Sequence, residues 1–257
     1  MAYIFNAIIY LPLYNLLVFV YDVLPFHDFG VAIIVVTLLI KFALFPLSKK
    51  QIESQKKMQE MQPKIKEVQN KHKDDKEKQS RALMELYKEH KTNPFSGCLP
   101  MVAQLVFLIA IYRVFFNISK AGLIVDSSGL YSFVHNPGQI NHMFIGLIDL
   151  TSIVNLSQLT PANIPQLVLV VLAAAAQYFQ MKMMMAKQTK APAGKSADFT
   201  QTMSQQMLFL GPLLTLFIGI KFPAGLALYW LISTAFMVAQ QYYLQKGETY
   251  AATDKAN

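Results

Sequence analysis

The chain has 257 residues, of which 54% are apolar and only 15% are charged, and its mean hydropathy is positive. Together with several apolar runs of about twenty residues, this composition is typical of proteins that cross a bilayer several times and does not fit an ordinary soluble domain. The lone Cys98 excludes an intramolecular disulfide, and the five histidines lack the spacing of a metal site. Phosphate-binding loops and nucleophile elbows are absent from the sequence, so we expect no cofactor and no conventional enzyme activity.

The net charge of +8 is concentrated in two stretches. Residues 49–97 carry 13 lysines and arginines against 8 acidic residues, and residues 182–205 carry four lysines against one aspartate. Residues 1–30 contain no lysine or arginine, and residues 119–165 contain only Lys120. By the positive-inside rule, the two basic stretches are cytoplasmic and the others lie outside. The charge therefore indicates orientation and contact with anionic lipids, and it gives no sign of a nucleic-acid partner.

Residues 1–24 are apolar, but Asn6, Pro12 and Asn15 interrupt them. The segment lacks the positive start and the cleavage site of a signal peptide. Two interpretations remain, an amphipathic helix on the outer leaflet and a further span. The polar interruptions favour the outer-leaflet helix, which together with its following turn covers residues 1–29.

The first span is predicted over residues 30–48, in which residues 31–48 read VAIIVVTLLIKFALFPLS. At about 1.5 Å per residue, a straight helix over this sequence is about 27 Å long, close to the thickness of the bilayer core. Lys41 then lies at membrane depth, where a charge costs about 2.5–3.5 kcal/mol on insertion scales and usually faces protein or a water-filled cavity. Snorkelling to the headgroups is the alternative, but Lys49 and Lys50 already occupy that interface. Lys41 is therefore a candidate functional residue.

Residues 49–97 are predicted to form a cytoplasmic hairpin of two antiparallel helices. Apolar residues recur at helical spacing in two stripes, Met58, Met61, Ile65 and Val68 and then Ala82, Leu83, Leu86 and Tyr87. The polar residues 72–76 between the stripes predict the turn. Packing of the two helices on each other explains the stripes, and a ribosome or targeting factor is a candidate partner of the hairpin.

The second span is predicted over residues 98–118, with Gln104 toward its inner side. Residues 119–164 are predicted to be an external loop with an interfacial helix near 143–150. A further span at 143–159 is the weaker alternative because polar side chains interrupt it. The remaining segments are span three at 165–182, a cytoplasmic loop at 183–205, span four at 206–221, an external hairpin with span five at 222–244, and a cytoplasmic tail at 245–257. The fold class is thus an all-α polytopic membrane protein with five spans, its N-terminus outside and its C-terminus in the cytoplasm.

Several motifs resemble those of the YidC-type membrane protein insertases of the Oxa superfamily. They are FPLSKKQ at 45–51, QPKIKEVQ at 62–69, NPFSGCLPMVAQ at 93–104 followed by IYRVF at 111–115, and FPAGLALYW at 222–230. They occur in the order and at the spacing of that family, over nearly the whole chain. The resemblance implies a five-span bundle in the cytoplasmic membrane of a bacterium. It also implies a hydrophilic groove that opens to the cytoplasm and to lipid but is closed outside.

The same resemblance implies roles for individual residues. An arginine of the family projects into the groove from the first span, and the matching residue here is Lys41, which keeps the charge but lacks the planar guanidinium. The groove wall corresponds to Gln104 and Gln177. The surface along which a substrate helix slides into lipid corresponds to Leu99, Pro100, Val102, Ile111, Tyr229 and Trp230. Nascent membrane proteins are the implied substrates, and a Sec-type translocon is a candidate partner.

Two other functional classes make different demands on the sequence. A channel or secondary transporter, with Lys41 binding an anion, requires polar residues through the full bilayer depth and an internal repeat. A membrane enzyme that acts on lipids requires histidines or paired carboxylates near the interface. The sequence has neither pattern. An insertase needs no covalent chemistry, because a groove lowers the cost of moving polar backbone groups through hydrocarbon, several kcal/mol for each group.

Overall fold

The computed structural model describes residues 2–90, 92, 99–157, 159–161, 163–185 and 195–254. Its helices are α1 Ala2–Phe5, continued by a π-helical turn at Asn6–Tyr10, then α2 Leu11–Val23, α3 Phe29–Ala43, α4 Phe45–Lys71, α5 Lys76–Glu89, α6 Leu99–Lys120, α7 Ile164–Met185, α8 Lys195–Lys221 and α9 Ala224–Asp254. A 3-10 turn at Ser127–Gly129 and two short strands, β1 Met143–Phe144 and β2 Ile148–Asp149, lie between α6 and α7. The prediction of a mostly helical chain is confirmed. Among the described helices, Tyr3–Val23 and Ile164–Met184 are long and apolar enough to cross a membrane, and α3 with α4 makes a third if counted as one broken span.

Helix α9 is the centre of the bundle and packs against α3, α6, α7 and α8, while α7 also packs against α8. Helices α3 and α6 run antiparallel beside it. At one end of this pair, the rings of Phe29 and Phe115 lie 5.3 Å apart between their centres. At the other end, Lys41 contacts Gln104. We refer to these as the Phe29 end and the Lys41 end of the bundle.

The prediction of one straight helix over residues 31–48 is wrong. Helix α3 ends at Ala43, and the axis bends by 65° before α4 begins at Phe45. Pro46 lies in the first turn of α4, where its missing N–H and its ring prevent the α3 hydrogen-bonding pattern from continuing. The fifteen residues of α3 span about 22 Å, so Lys41 lies in the last turn of a helix.

Helices α4 and α5 pack against each other on either side of the turn at residues 72–75. Gln79 Nε2 donates to the carbonyl oxygen of Gln69 (2.9 Å), and Lys64 Nζ lies 3.1 Å from His90 Nε2. Met61 is the buried residue of α4. The predicted end of this hairpin, residues 93–97, lies outside the described part of the chain.

The predicted interfacial helix near residues 143–150 is also wrong, because this segment forms the β1–β2 hairpin. Ile145 and Gly146 in its loop have positive φ angles of 48° and 69°, which an α-helix does not contain. The side chains of Asn141 and Asp149 each accept a hydrogen bond from the backbone N–H two residues further on. Such local bonds compete with helix formation. A span over 143–159 is excluded for the same reason.

Helix α8 begins at Lys195, earlier than the predicted start at 206. The polar residues 195–205 were interpreted as a loop, but no glycine or proline interrupts the sequence until Gly211. Serine, threonine and glutamine cost a helix only tenths of a kcal/mol each, about 0.7 at most. Helix α9 likewise continues to Asp254 through most of the predicted tail.

The N-terminal helix, α1 to α2, runs across the Phe29 end of the bundle. Its contacts pair Phe5 with Arg113 (5.0 Å, cation to ring centre), Tyr10 with Asn117 (2.8 Å hydrogen bond) and Tyr21 with Phe29 (6.0 Å between ring centres). Phe5 and Tyr21 are about 24 Å apart along the N-terminal helix. Their partners Arg113 and Phe29 lie at nearly the same depth, because Phe29 packs on Phe115, which is only about 3 Å from Arg113 along α6. A helix parallel to α6 could not make all these contacts, so the N-terminal helix crosses the bundle at a steep angle.

The segment between α6 and α7 covers the same end. The buried Asn15 side chain donates to the carbonyl oxygen of Gly129 (2.9 Å) and accepts from the N–H of Tyr131 (2.6 Å). The N–H of Gly225, at the start of α9, donates to the carbonyl oxygen of the fully buried Leu150 (2.9 Å). The segment is therefore bonded to the N-terminal helix and to α9.

One carboxylate joins the start of α3 to the β-hairpin. Asp28 Oδ1 accepts from the N–H groups of Gly30 (2.8 Å) and Val31 (3.1 Å), as an N-cap does. Its other oxygen accepts from the N–H of Ile145 (2.7 Å). The Phe29 end is thus covered by chain that is hydrogen-bonded to three helices.

Candidate functional site

The Lys41 side chain lies at the C-terminal end of α3 and faces α6. Its Nζ donates to Gln104 Oε1 at 3.3 Å, and the Ser233 hydroxyl of α9 donates to the same oxygen at 2.9 Å. Ser233 is fully buried and Lys41 is half-buried. One glutamine oxygen therefore joins three helices of the bundle and fixes the direction of the ammonium group.

The orientation of the Gln104 amide follows from this contact. A flipped amide would place its NH₂ group against the Lys41 ammonium, donor against donor, so the oxygen must face Lys41. The buried Nε2 atom of Gln104 then has no hydrogen-bond partner among the described residues. An unmet donor in a bundle interior costs about 1–3 kcal/mol.

A cavity of about 70 Å³ lies beside these groups. Its lining residues come from α3, α4, α6 and α9 and include Lys41, Leu44, Ser48, Gln104, Tyr229 and Gln240. A single water molecule needs at least about 10–15 Å³ on this measure, so the cavity has room for water. Lys41 and Gln104 therefore both border the same small space.

Gln177, the second predicted groove residue, lies on the other side of α9. Its Oε1 accepts from Trp230 Nε1 (3.2 Å) and from the hydroxyl of the fully buried Thr234 (3.4 Å). Gln104 and Gln177 thus bind the adjacent residues Ser233 and Thr234 and do not contact the same cavity. Gln177 therefore ties α7 to α9.

The six predicted slide residues have different surroundings. Val102 is 54% exposed and Trp230 is half-buried, whereas Ile111 and Tyr229 are buried at 4% and 3% exposure. The side chains of Leu99 and Pro100 lie outside the described part of the structure. The structure therefore puts one described slide residue on open helix surface and two in the core behind it.

Sequence reasoning missed several residues of this region. Leu105 and Ile109 are 54% and 41% exposed and continue the surface of Val102 along α6. Their spacing of three and four residues was the available signal. Ser233 was also missed, because a serine in an apolar helix usually bonds to its own backbone. Its partner is on another helix.

The interior between α3, α6 and α9 becomes apolar toward the Phe29 end. Described residues there are apolar and buried, among them Phe29, Val114, Phe115, Ala224, Leu226 and Leu228. Gly225 lies so close to the Phe115 ring that an added Cβ would collide with it. The polar groups around Lys41 therefore do not continue between these helices to the other end. Across the described residues, no group of three or more His, Cys, Asp or Glu side chains comes together as a metal site would require.

Comparison with known proteins identifies the family. The family model of the 60Kd inner membrane protein matches residues 19–252. A curated relative from Fusobacterium nucleatum subsp. nucleatum, "Membrane protein insertase YidC", is 32% identical over 220 residues, which are 85% of this chain and 87% of the relative. Relatives with the same name from Pelobacter propionicus and Nitratidesulfovibrio vulgaris (strain Hildenborough) are 30% and 35% identical over 85% and 91% of this chain.

The chain spans only 35% and 38% of the length of those last two relatives, so it corresponds to one part of them. The match to the family model nevertheless covers 19–252, far more than half of the chain. The family predicted from the motifs is confirmed, and the chain belongs to the 60Kd inner membrane protein family.

Proposed function

We propose that this chain is a membrane protein insertase. In this proposal, a hydrophobic segment of a nascent membrane protein enters a water-filled groove at the Lys41 end and leaves sideways into the bilayer. Its short polar tail crosses to the outside during this transfer. The observation that carries the proposal is a lysine held by Gln104 beside a cavity at one end of an apolar, covered bundle.

The energetic role of the groove follows from the cost of polar groups in hydrocarbon. Each unsatisfied backbone group costs several kcal/mol there. Water and the donors of Lys41 and Gln104 solvate a polar tail over part of the bilayer depth, so the remaining apolar barrier is thinner. The positive charge attracts acidic side chains or carbonyl oxygens of the tail. The apolar interior near Phe115 offers no continuous polar path, which argues against a channel or transporter that binds an anion at Lys41.

The lateral exit in this proposal is the exposed face of α6. Val102, Leu105 and Ile109 present side chains on which an apolar substrate helix can pack while it moves into lipid. The half-buried Trp230 borders the exit, and Ile111 and Tyr229 support it from the core. Leu99 and Pro100 remain proposed slide residues.

The topology that we propose has five spans, α3, α6, α7, α8 and α9, in the bacterial cytoplasmic membrane. The α4–α5 hairpin and the loop between α7 and α8 are cytoplasmic because they carry the lysine and arginine excess. The N-terminal helix lies in the outer interface, in line with its steep crossing of the bundle. Anionic lipids contact the basic segments, and a ribosome or targeting factor at the hairpin and a Sec-type translocon are further proposed partners.

The test is complementation of a strain depleted of its own insertase. Insertion of a single-span substrate is scored by protease protection of an acidic outer tail. We expect wild type and Lys41→Arg to restore protection and Lys41→Glu to fail. Lys73→Glu, in the turn between α4 and α5, is the matched control with the same change of charge and should remain active.

Two results would contradict the proposal in different ways. Full activity of Lys41→Glu would remove charge capture from the mechanism but leave the exit surface intact. Failure of the wild-type protein, when it is folded in the membrane and offered substrates of its own species, would remove the insertase function itself.

A further inference from the structure

A second and larger cavity lies at the Phe29 end, where the proposed insertase mechanism makes no use of it. It has a volume of about 630 Å³, is partly open to the surroundings, and is bounded by the N-terminal helix, the last turn of α6 and residues 124–129. Small-molecule sites typically measure about 300–1,000 Å³. Along α6 the cavity begins at Asn117, about 20 Å from Gln104, so it is separate from the Lys41 cavity.

The walls of this cavity are tied together by side chains. The Tyr14 hydroxyl donates to the carbonyl oxygen of Asp126 (3.1 Å), and Asn117 Nδ2 donates to the Tyr10 hydroxyl (2.8 Å). Tyr14 and Ile118 are buried and line the cavity. The π-helical turn at Asn6–Tyr10 forms part of one wall, and such turns are frequent at functional sites. The cavity is thus a built feature of the fold.

Lys120 and Asp126 both line the cavity and carry opposite charges, but they do not form an ion pair with each other. Within the described part of the chain, the Lys120 side chain has no ion-pair or hydrogen-bond partner. Asp126 accepts from the N–H and the hydroxyl of Ser128, at 2.9 Å each. These two hydrogen bonds hold the pKa of the Asp126 carboxyl below its usual range, so the group is ionised at neutral pH. A carboxylate has about four acceptor positions, so Asp126 retains acceptors for a further donor.

Exposed apolar side chains lie at or within two positions of residues that line the cavity. Ile4 and Ile8 on the N-terminal helix are 59% and 69% exposed, Phe116 on α6 is 50% exposed, and Ile124 is 55% exposed. Such a combination of apolar surface and charged cavity is typical of a site at the boundary between hydrocarbon and headgroups.

We propose that this cavity binds the headgroup of a zwitterionic phospholipid that carries a primary ammonium, with its phosphate at Lys120 and its ammonium at Asp126. Its acyl chains lie along Ile8 and Phe116. The pairing uses both charges of the cavity and gives each its opposite. A glycerol headgroup leaves Asp126 unpaired next to a phosphate, and a choline headgroup cannot donate hydrogen bonds to the carboxylate.

The experiment is native mass spectrometry of the full chain in detergent. The protein is offered phosphatidylethanolamine, phosphatidylglycerol and phosphatidylcholine in equal amounts. We expect one phosphatidylethanolamine to be retained in preference to the other two. The measurement does not depend on insertion activity, so its result is independent of the proposed function.

Two variants test the two charges of the cavity, and one further variant is the control. Lys120→Gln and Asp126→Asn should each lower retention of phosphatidylethanolamine about threefold, the loss typical of an exposed ion pair. Asp126→Asn should in addition weaken the discrimination against phosphatidylglycerol. Lys221→Gln removes an exposed lysine at the end of α8, outside the cavity, so it should bind as wild type does.

Either of two outcomes would overturn the proposal. One is retention of phosphatidylglycerol equal to or above that of phosphatidylethanolamine by the wild-type protein, which would make this a site for anionic lipid. The other is unchanged retention in both Lys120→Gln and Asp126→Asn, which would place the bound lipid elsewhere on the protein.

Discussion

Gln240 Nε2 donates a hydrogen bond of 2.6 Å to the Ser48 hydroxyl and so ties α9 to the first turn of α4, directly after the 65° bend. The same amide lies 3.5 Å from the carbonyl oxygen of Phe45. Gln240 is only 4% exposed, and both Gln240 and Ser48 line the Lys41 cavity. This contact holds the beginning of α4 against the bundle beside Lys41.

Gln240→Leu should loosen α4 relative to α9. The change removes the donor to the Ser48 hydroxyl oxygen, which then keeps only its own bond to the Phe45 carbonyl oxygen (3.0 Å), and a lost hydrogen bond costs about 1 kcal/mol. Spin labels at the exposed positions 57 and 243, in a Cys98→Ser background, should report a broader distance distribution in this variant. Tyr242→Leu, which alters an exposed side chain next to the same helix turn, is the control. Identical distributions for Gln240→Leu and wild type would show that other contacts fix the bend.

Gln104→Leu should lower the unfolding temperature of the detergent-solubilised protein. It removes the acceptor for both Lys41 and Ser233, and an unpaired buried donor costs about 1–3 kcal/mol. Because Ser233→Ala removes part of the same network, the double variant should lose less stability than the sum of the two single changes. Thr215→Val, which removes a hydroxyl bonded to the Gly211 carbonyl, should add independently to Gln104→Leu. Full additivity of Gln104→Leu with Ser233→Ala would contradict the shared oxygen.

Gly225→Ala should destabilise the Phe29 end. A Cβ at this position would collide with the Phe115 ring, and overpacking of this kind costs about 1–3 kcal/mol. Phe115→Leu in the same chain should recover part of the loss, as measured by thermal unfolding in detergent. Gly211→Ala is the matched control, because its Cβ would meet Gln177 at an ordinary 3.6 Å. Equal unfolding temperatures for Gly225→Ala and Gly211→Ala would refute the close approach of α6 and α9.

The N-terminus of α5 should lose protection in acid. The N–H of Lys78 donates to Asp75 and, with the Lys78 side chain, holds the pKa of this carboxyl below its ordinary 3.8. The pKa of Asp75 is therefore lower in the folded protein than in the unfolded chain. The stabilisation that Asp75 provides is complete above the unfolded pKa and is lost as the pH falls through the folded pKa. Amide exchange at residues 77–79, corrected for intrinsic rates, should therefore accelerate below about pH 4.

Asp75→Asn gives the control for this pH dependence. Asparagine caps a helix about as well as aspartate but does not titrate, so protection of α5 should become independent of pH in this range. If wild type and Asp75→Asn respond to acid equally, another group is responsible.

Much of the architecture could be predicted from local patterns. The apolar runs and basic stretches located α6, α7 and the beginnings of α3 and α9 within a few residues, because burial and charge are properties of short segments. The bend at Leu44 was missed although Pro46 marks it in the sequence. The hydropathy of residues 31–48 is uniform across that proline, and hydropathy carries no information on axis direction.

In the candidate site too, some residues could be predicted from the sequence, whereas other contacts depend on how the helices pack. Lys41 is visible as a charge inside an apolar run, and Gln104 as a polar residue of the following span. Ser48 and Gln240 are 192 positions apart, and no periodicity links them. Their contact depends on how α4 turns back against α9, which only the assembled bundle determines. The opposite sides of α9 occupied by Gln104 and Gln177 are likewise a property of packing.

The cover of the Phe29 end also constrains the order in which the protein itself is assembled. Asn15 bonds to residues 114 and 116 positions further on, and Asp28 bonds to Ile145 across 117 positions. During synthesis, the N-terminal helix and the start of α3 therefore remain without these partners until more than half of the chain has been made. The loops that close such long separations form slowly. The growing chain thus passes through a stage in which Asn15 and Asp28 depend on water, and this stage ends only after residues 129–145 have reached the same side of the membrane.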